Sequence, residues 1–186
     1  RDLTASLLSE VAHDVSVEPE LEPLSGETFP LRSANTEAHA RLDVAARGVY
    51  GSRLERTMFD VRVFNPFVPS NRNLTLPSVY RKHEQEKRRK YERRVLEVEH
   101  SSFVPVVFAT TGGQGKAASA LFARIASKLC EKRREPFPVM MAFVRAKISF
   151  CLVRAMIASL RGHRRNPPRH LSCSAVLAAA ECALVP

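Results

Sequence analysis

Two short segments constrain this chain most. ARLDVAA (residues 40–46) and TMFDVRVF (57–64) are both strand-like, each holds one aspartate, and GVYGSRLE between them supplies two glycines for a reversal. The second segment alternates, with Phe59, Val61 and Val63 on one side and Asp60, Arg62 and Phe64 on the other. The reversal centres near Gly51, so an antiparallel hairpin makes Asp43 and Asp60 near cross-strand neighbours, with Cβ atoms about 5 Å apart. Arg62 shares their face, and Leu42, Val44, Phe59 and Val61 are expected to anchor the hairpin in the core from the other. Two carboxylates so placed repel unless a cation stands between them. A hard divalent ion, Mg²⁺ or Mn²⁺, suits such oxygens and keeps several waters. Phosphodiester hydrolysis needs these parts: a metal to activate water and screen phosphate, and a cation to hold transition-state charge. The same spacing also serves a plain Asp60–Arg62 pair on an exposed sheet face.

The flanking pattern predicts the rest of the domain. Residues 2–13 read as a helix with Leu3, Leu7, Leu8 and Val11 on one stripe, and 15–17 as a short strand. A Pro/Asn loop over 65–77 leads to a long basic helix over 78–99, with Ser78 as its cap and Tyr80, Lys87, Tyr91, Val95 and Val98 on one face. FVPVVFA (103–109) is a buried strand in which Pro105 points to an edge or bulge. Helices are expected over 116–132 and 138–160. Arg145, Lys147 and Arg154 inside the last one make it a core or partner-facing helix, since three central charges are costly in lipid. The glycine stretch TTGGQGKAAS fails as a P-loop, having Thr110 and Ala117 where that motif needs Gly and Ser/Thr, and reads as a tight turn. His83 and His100 are expected at the surface or as caps.

Charge then narrows the partners. The chain carries a net +10, but residues 1–43 hold nine acids against three bases, so the remainder carries +16. Residues 81–94 alone hold eight Lys/Arg and three Glu. Such a surface favours a polyanion, and Lys82, Arg89 and Arg93 are candidates for tracking phosphates. A solvated charged helix is the bland alternative. The four cysteines form no CxxC pair and no zinc-ligand spacing, which fits a reduced nuclear or cytoplasmic interior. Arg1 opens no signal peptide, as expected of a non-secreted piece of a longer polypeptide.

The order helix, strand, strand with Asp (RLDV), strand with Asp-x-basic (FDVRV), helix resembles the PD-(D/E)XK, restriction-endonuclease-like core. More closely, residues 1 to about 162 resemble an endonuclease-like segment in open reading frames of invertebrate retroelements, which a reverse transcriptase can accompany. RLDVAARGVYG, FDVRVFNPFVPSNR, YRKHEQEKRRKYERRVLEVEH, FVPVVFATTGGQGKAAS and KISFCLVRAMIASLRG carry that similarity.

The resemblance implies an α/β domain over 1–162 with a mixed central sheet flanked by helices, and 163–186 as a basic linker and Ala-rich tail. It implies cleavage of DNA, or of an RNA–DNA hybrid, with Asp43 and Asp60 as metal ligands and no membrane involvement. Arg62 stands where the family has lysine. Arginine holds phosphate but does not act as a base near neutral pH, so the resemblance points to Lys87 as the source of the missing ammonium. The family's first-helix acid falls nearest Asp2, with Glu10 as a second choice. Two other expectations stay open: a nuclease-fold relic that binds nucleic acid without cutting, and an assembly module forming a homodimer through helix 138–160.

Overall fold

The computed structural model describes residues 1–161. The expected linker and Ala-rich tail over 163–186, with Cys173 and Cys182, lie outside the described residues. The elements in order are α1 (Asp2–Ser9), β1 (His13–Val17), β2 (Val44–Arg47), β3 (Arg56–Phe64), α2 (Leu76–Lys87), α3 (Arg93–Glu97), β4 (Ser102–Ala109), α4 (Lys116–Arg133) and α5 (Phe137–Arg161). A π-helical turn, Arg88–Glu92, joins α2 to α3.

The fold is mixed α/β. A four-stranded sheet runs β1-β2-β3-β4, antiparallel across the first two pairs and parallel across β3 and β4. The parallel pair is permitted by the long crossover through α2 and α3. β4 is one of the two edge strands among the described residues, which is how Pro105 is accommodated with no amide hydrogen to offer a neighbour.

Strand alternation sends side chains into two layers. Val44, Ala46, Phe59, Val106 and Phe108 pack with α1, α4 and α5 through residues such as Leu8, Phe122 and Val144. On the opposite face Ala45, Met58 and Phe103 meet Tyr91 and Val95, while Phe64 and Val107 meet Val79 and Tyr80. Leu42 departs from expectation. It joins the Met58–Tyr91 cluster instead of backing Val44 and Phe59, because β2 begins only at Val44 and strand alternation does not extend to it.

The basic segment is not one helix over 78–99. It begins at Leu76 with Thr75 as its cap residue and Pro77 in the first turn, where a missing amide hydrogen costs nothing. Ser78 is therefore inside the helix, its hydroxyl 2.9 Å from that of Thr75. The π turn inserts after Lys87 and resets the helical phase from Arg88 onward. His83, expected at the surface, is buried against Phe64. Arg94 is fully buried, its guanidinium donating to the carbonyls of Glu22 (2.8 Å), Asn35 (3.1 Å) and Glu37 (2.8 Å). It thereby pins the irregular 18–43 segment to α3.

The glycine stretch is a turn, with Gly112 at φ +94°. Glu84 of α2 accepts the Ala117 amide at 3.0 Å, so a carboxylate already serves the start of α4. Among the described residues no helix is long and apolar enough to cross a membrane.

Candidate active site

The site is built just before β2 begins, where β3 runs on past it with β4 alone beside it. The ladder pairs Val44 with Phe59, so one more residue in register brings Asp43 beside Asp60. The Asp43 amide still bonds the Phe59 carbonyl (3.2 Å). Its carboxylate then turns back and accepts the Val61 amide at 2.6 Å. That amide points sideways from β3 towards a partner strand that has stopped, so Asp43 substitutes for backbone there. Its carboxylate lies along the sheet, not on the Asp60 face as the hairpin pattern predicts.

Asp60 points into the α2 layer and is 6% exposed. Lys87, the last residue of α2, reaches it with Nζ 2.6 Å from Oδ2. Burial pushes the Asp60 carboxyl above its ordinary range and the neighbouring Asp43 charge adds to that, while the Lys87 ammonium and, more weakly, Lys90 oppose it. The π turn sets both lysines against one ring, Lys87 at 5.7 Å and Lys90 at 5.1 Å from the Tyr91 centroid. Lys90 is the site residue that the sequence pattern misses. Its place three residues after Lys87 already puts it on the Lys87 side of a helix, and that spacing is the signal that could have found it.

Arg62 is on the α2 side too, but it is engaged: Nη1 lies 2.9 Å from Glu86 Oε1. The guanidinium holds the Glu86 carboxyl below its usual range. His83 Nδ1 is 3.7 Å from the other Glu86 oxygen, and burial lowers the imidazole's affinity for a proton. Glu86 is a second missed residue, hidden within the charge run.

Asp2 stands in the first turn of α1, is mostly exposed and pairs with Arg1 at 2.7 Å. Both residues share a groove of about 470 Å³ with Asp43, Cys151 and Arg154. Glu10 is at the opposite end of α1, held by Arg133 and by Lys147 at 3.5 Å, and takes no part. Lys82 is exposed on α2. Arg89 and Arg93 line a separate groove with Leu31 and Leu96, where Arg93 pairs with Glu97 at 2.6 Å.

Among the described residues no group of three or more His, Cys, Asp and Glu side chains converges. The register sets Asp43, which accepts the Val61 amide, next to Asp60, which pairs with Lys87. Two carboxylates suit Mg²⁺ or Mn²⁺, which retain waters for their other positions. No protein-family model, no curated protein and no solved structure matches this chain.

Proposed function

We propose that this domain is a metal-dependent endonuclease that cleaves DNA with a restriction-endonuclease-like core, in which Lys87 replaces the lysine lost at position 62. The observation that carries the reading is the buried Lys87–Asp60 contact of 2.6 Å, one register step from Asp43. An ammonium placed there from a helix supplies what arginine cannot, a compact donor able to give up or hold a proton. The topology supports the same reading: an antiparallel β2–β3 pair bearing both acids, followed by a helical crossover to a parallel β4.

Asp43 and Asp60 would hold Mg²⁺ or Mn²⁺, which when bound lowers the pKa of water and screens phosphate charge. The chain's own residues do the rest. The Val61 amide orients the Asp43 carboxylate. Tyr91 keeps Lys87 and Lys90 together at the rim. Lys87 would donate to the scissile phosphate, and Lys90 would meet the adjoining one. Arg62, tied to Glu86, has a bracing role on the α2 side. Service to a mobile element, alongside a reverse transcriptase on the same polypeptide, is the biological setting we propose.

One observation favours a second reading. Asp60 already has a counterion, and a site that is neutral without metal also suits a relic that binds nucleic acid and does not cut it. Nicking of supercoiled DNA in Mg²⁺ or Mn²⁺, abolished by a chelator, supports the enzyme. Salt-dependent binding with no metal-dependent nicking on duplex, branched or hybrid substrates supports the relic.

A further inference from the structure

The inward face of α5 changes character along the helix. Met140, Val144 and Ile148 fill the core, and the same face continues at helical spacing as Cys151, Ala155 and Ala158. Large side chains give way to small ones, and the helix stops filling the space beside α1. A groove of about 470 Å³ is left there, lined from α5 by those three residues and Arg154, and otherwise by residues that include Asp2 and Asp43. Arg154 stands three residues from Cys151 and four from Ala158, so it borders the small-residue face.

The cations of α5 have separate surroundings. Lys147 reaches Glu10 at 3.5 Å, and Arg145 lines another groove with Gln114 and Ser149. Arg154 shares its groove with Asp43, a residue of the proposed site. The acids in that groove are committed elsewhere: Asp2 pairs with Arg1 at 2.7 Å, and Asp43 accepts the Val61 amide at 2.6 Å. Asp43 also stands beside β3, between the layer of α1 and α5 and the layer of α2, where Lys87 meets Asp60. A nucleic-acid strand laid across Asp43 therefore meets lysines on one side and Arg154 on the other. A planar guanidinium beside small side chains can approach a phosphodiester closely and hold two of its oxygens. We infer that Arg154 binds a backbone phosphate on the α5 side of Asp43, so that the substrate strand spans both helical layers. The inference rests on the reading that nucleic acid binds at Asp43 and Asp60, and it does not require cleavage.

The test is duplex-DNA binding by the whole chain, in chelator, over a range of salt concentrations. Arg154→Gln should weaken binding and lower the slope of log K against log salt by about 0.9, the value of one phosphate contact. Arg154→Lys keeps the charge and should restore the slope. Ala158→Glu changes an exposed position on the same face and should also weaken binding. Arg145→Gln, in the other groove, should leave affinity and slope as they are. An unchanged slope in Arg154→Gln, folded by circular dichroism, overturns the inference. A shift in urea unfolding without a change in slope would make Arg154 a counterion for Asp2 and Asp43, which overturns it as well. So do equal losses from Arg154→Gln and Arg145→Gln, which would mean that only net charge matters. DNA binding that ignores Arg154 leaves the nuclease reading standing, whereas no DNA binding by the unaltered chain at any salt removes both. The expected slope change in a chain that does not nick supports Arg154 as a phosphate contact and tells against the nuclease.

Discussion

Lys87 Nζ and Asp60 Oδ2 lie 2.6 Å apart, with the carboxylate side chain 8% and the lysine 19% exposed. Breaking a buried pair costs more than the pair contributes, because the surviving charge loses its partner. Lys87→Met should destabilise the fold by about 3 kcal/mol at pH 7, measured by urea unfolding.

The pH dependence of that loss has a definite sign. The Asp60 carboxyl is already raised by burial, and removing the ammonium raises it further. A carboxyl raised in the folded state adds stability that is complete below its unfolded pKa and is lost as pH rises through the folded one. The Lys87→Met deficit should therefore shrink as pH falls from 7 towards the ordinary Asp value near 3.8. A deficit that is constant with pH would show that the carboxylate is not the group left exposed to the penalty.

Arg94 should be worth more than any exposed arginine of the same run. Its guanidinium serves three backbone carbonyls from a fully buried position. Arg94→Met leaves those carbonyls without donors, at about 1–3 kcal/mol for each one that water does not reach. The expected outcome is a loss of at least 3 kcal/mol, with faster amide exchange across residues 18–43. Arg89→Met, on the outer groove, should change stability by less than about 0.5 kcal/mol.

The sheet and its acids were legible because a strand states its faces every second residue. Phe59 and Met58 went to opposite cores as alternation required, and the glycines marked the β2–β3 reversal. The mixed sheet, the edge position of Pro105 and the register of Asp43 next to Asp60 came with it, but not the direction of the Asp43 carboxylate. Less of the helical layer was legible. The charge run from 81 to 94 reads as uniform surface, yet it contains the buried Arg94, the inward His83 and the paired Glu86. A run of cations hides which one turns inward, because that depends on carbonyls 57 to 72 residues away and on a π turn without a sequence signature.

Nucleic-acid binding should distinguish the two basic edges. Lys90 shares the Tyr91 ring with Lys87 beside Asp60, whereas Arg89 and Arg93 face the Leu31 groove. Lys90→Ala should weaken DNA binding and reduce the slope of log K against log salt by about one. If Arg89→Ala with Arg93→Ala flattens the slope and Lys90→Ala does not, the backbone runs along the outer groove instead.

The lysine exchange is tested by two substitutions in a nicking assay. Arg62→Lys should alter the rate less than tenfold, since Glu86 engages that side chain. Lys87→Ala should lower it by a factor of at least about 100, the order seen when one donor to transition-state charge is removed. A large gain from Arg62→Lys would return the role to position 62.

The most direct measurement is plasmid nicking by Asp60→Asn beside the unaltered chain, in Mg²⁺ and in Mn²⁺, with DNA affinity measured in chelator. The change keeps the side chain's shape and leaves Phe59 and Val61 undisturbed on the opposite core face. The account predicts metal-dependent nicking by the unaltered chain, background nicking by Asp60→Asn, and DNA affinity that is unchanged or higher once one negative charge facing phosphate is gone. Equal nicking by both proteins, or none by the unaltered chain under any metal, would contradict it.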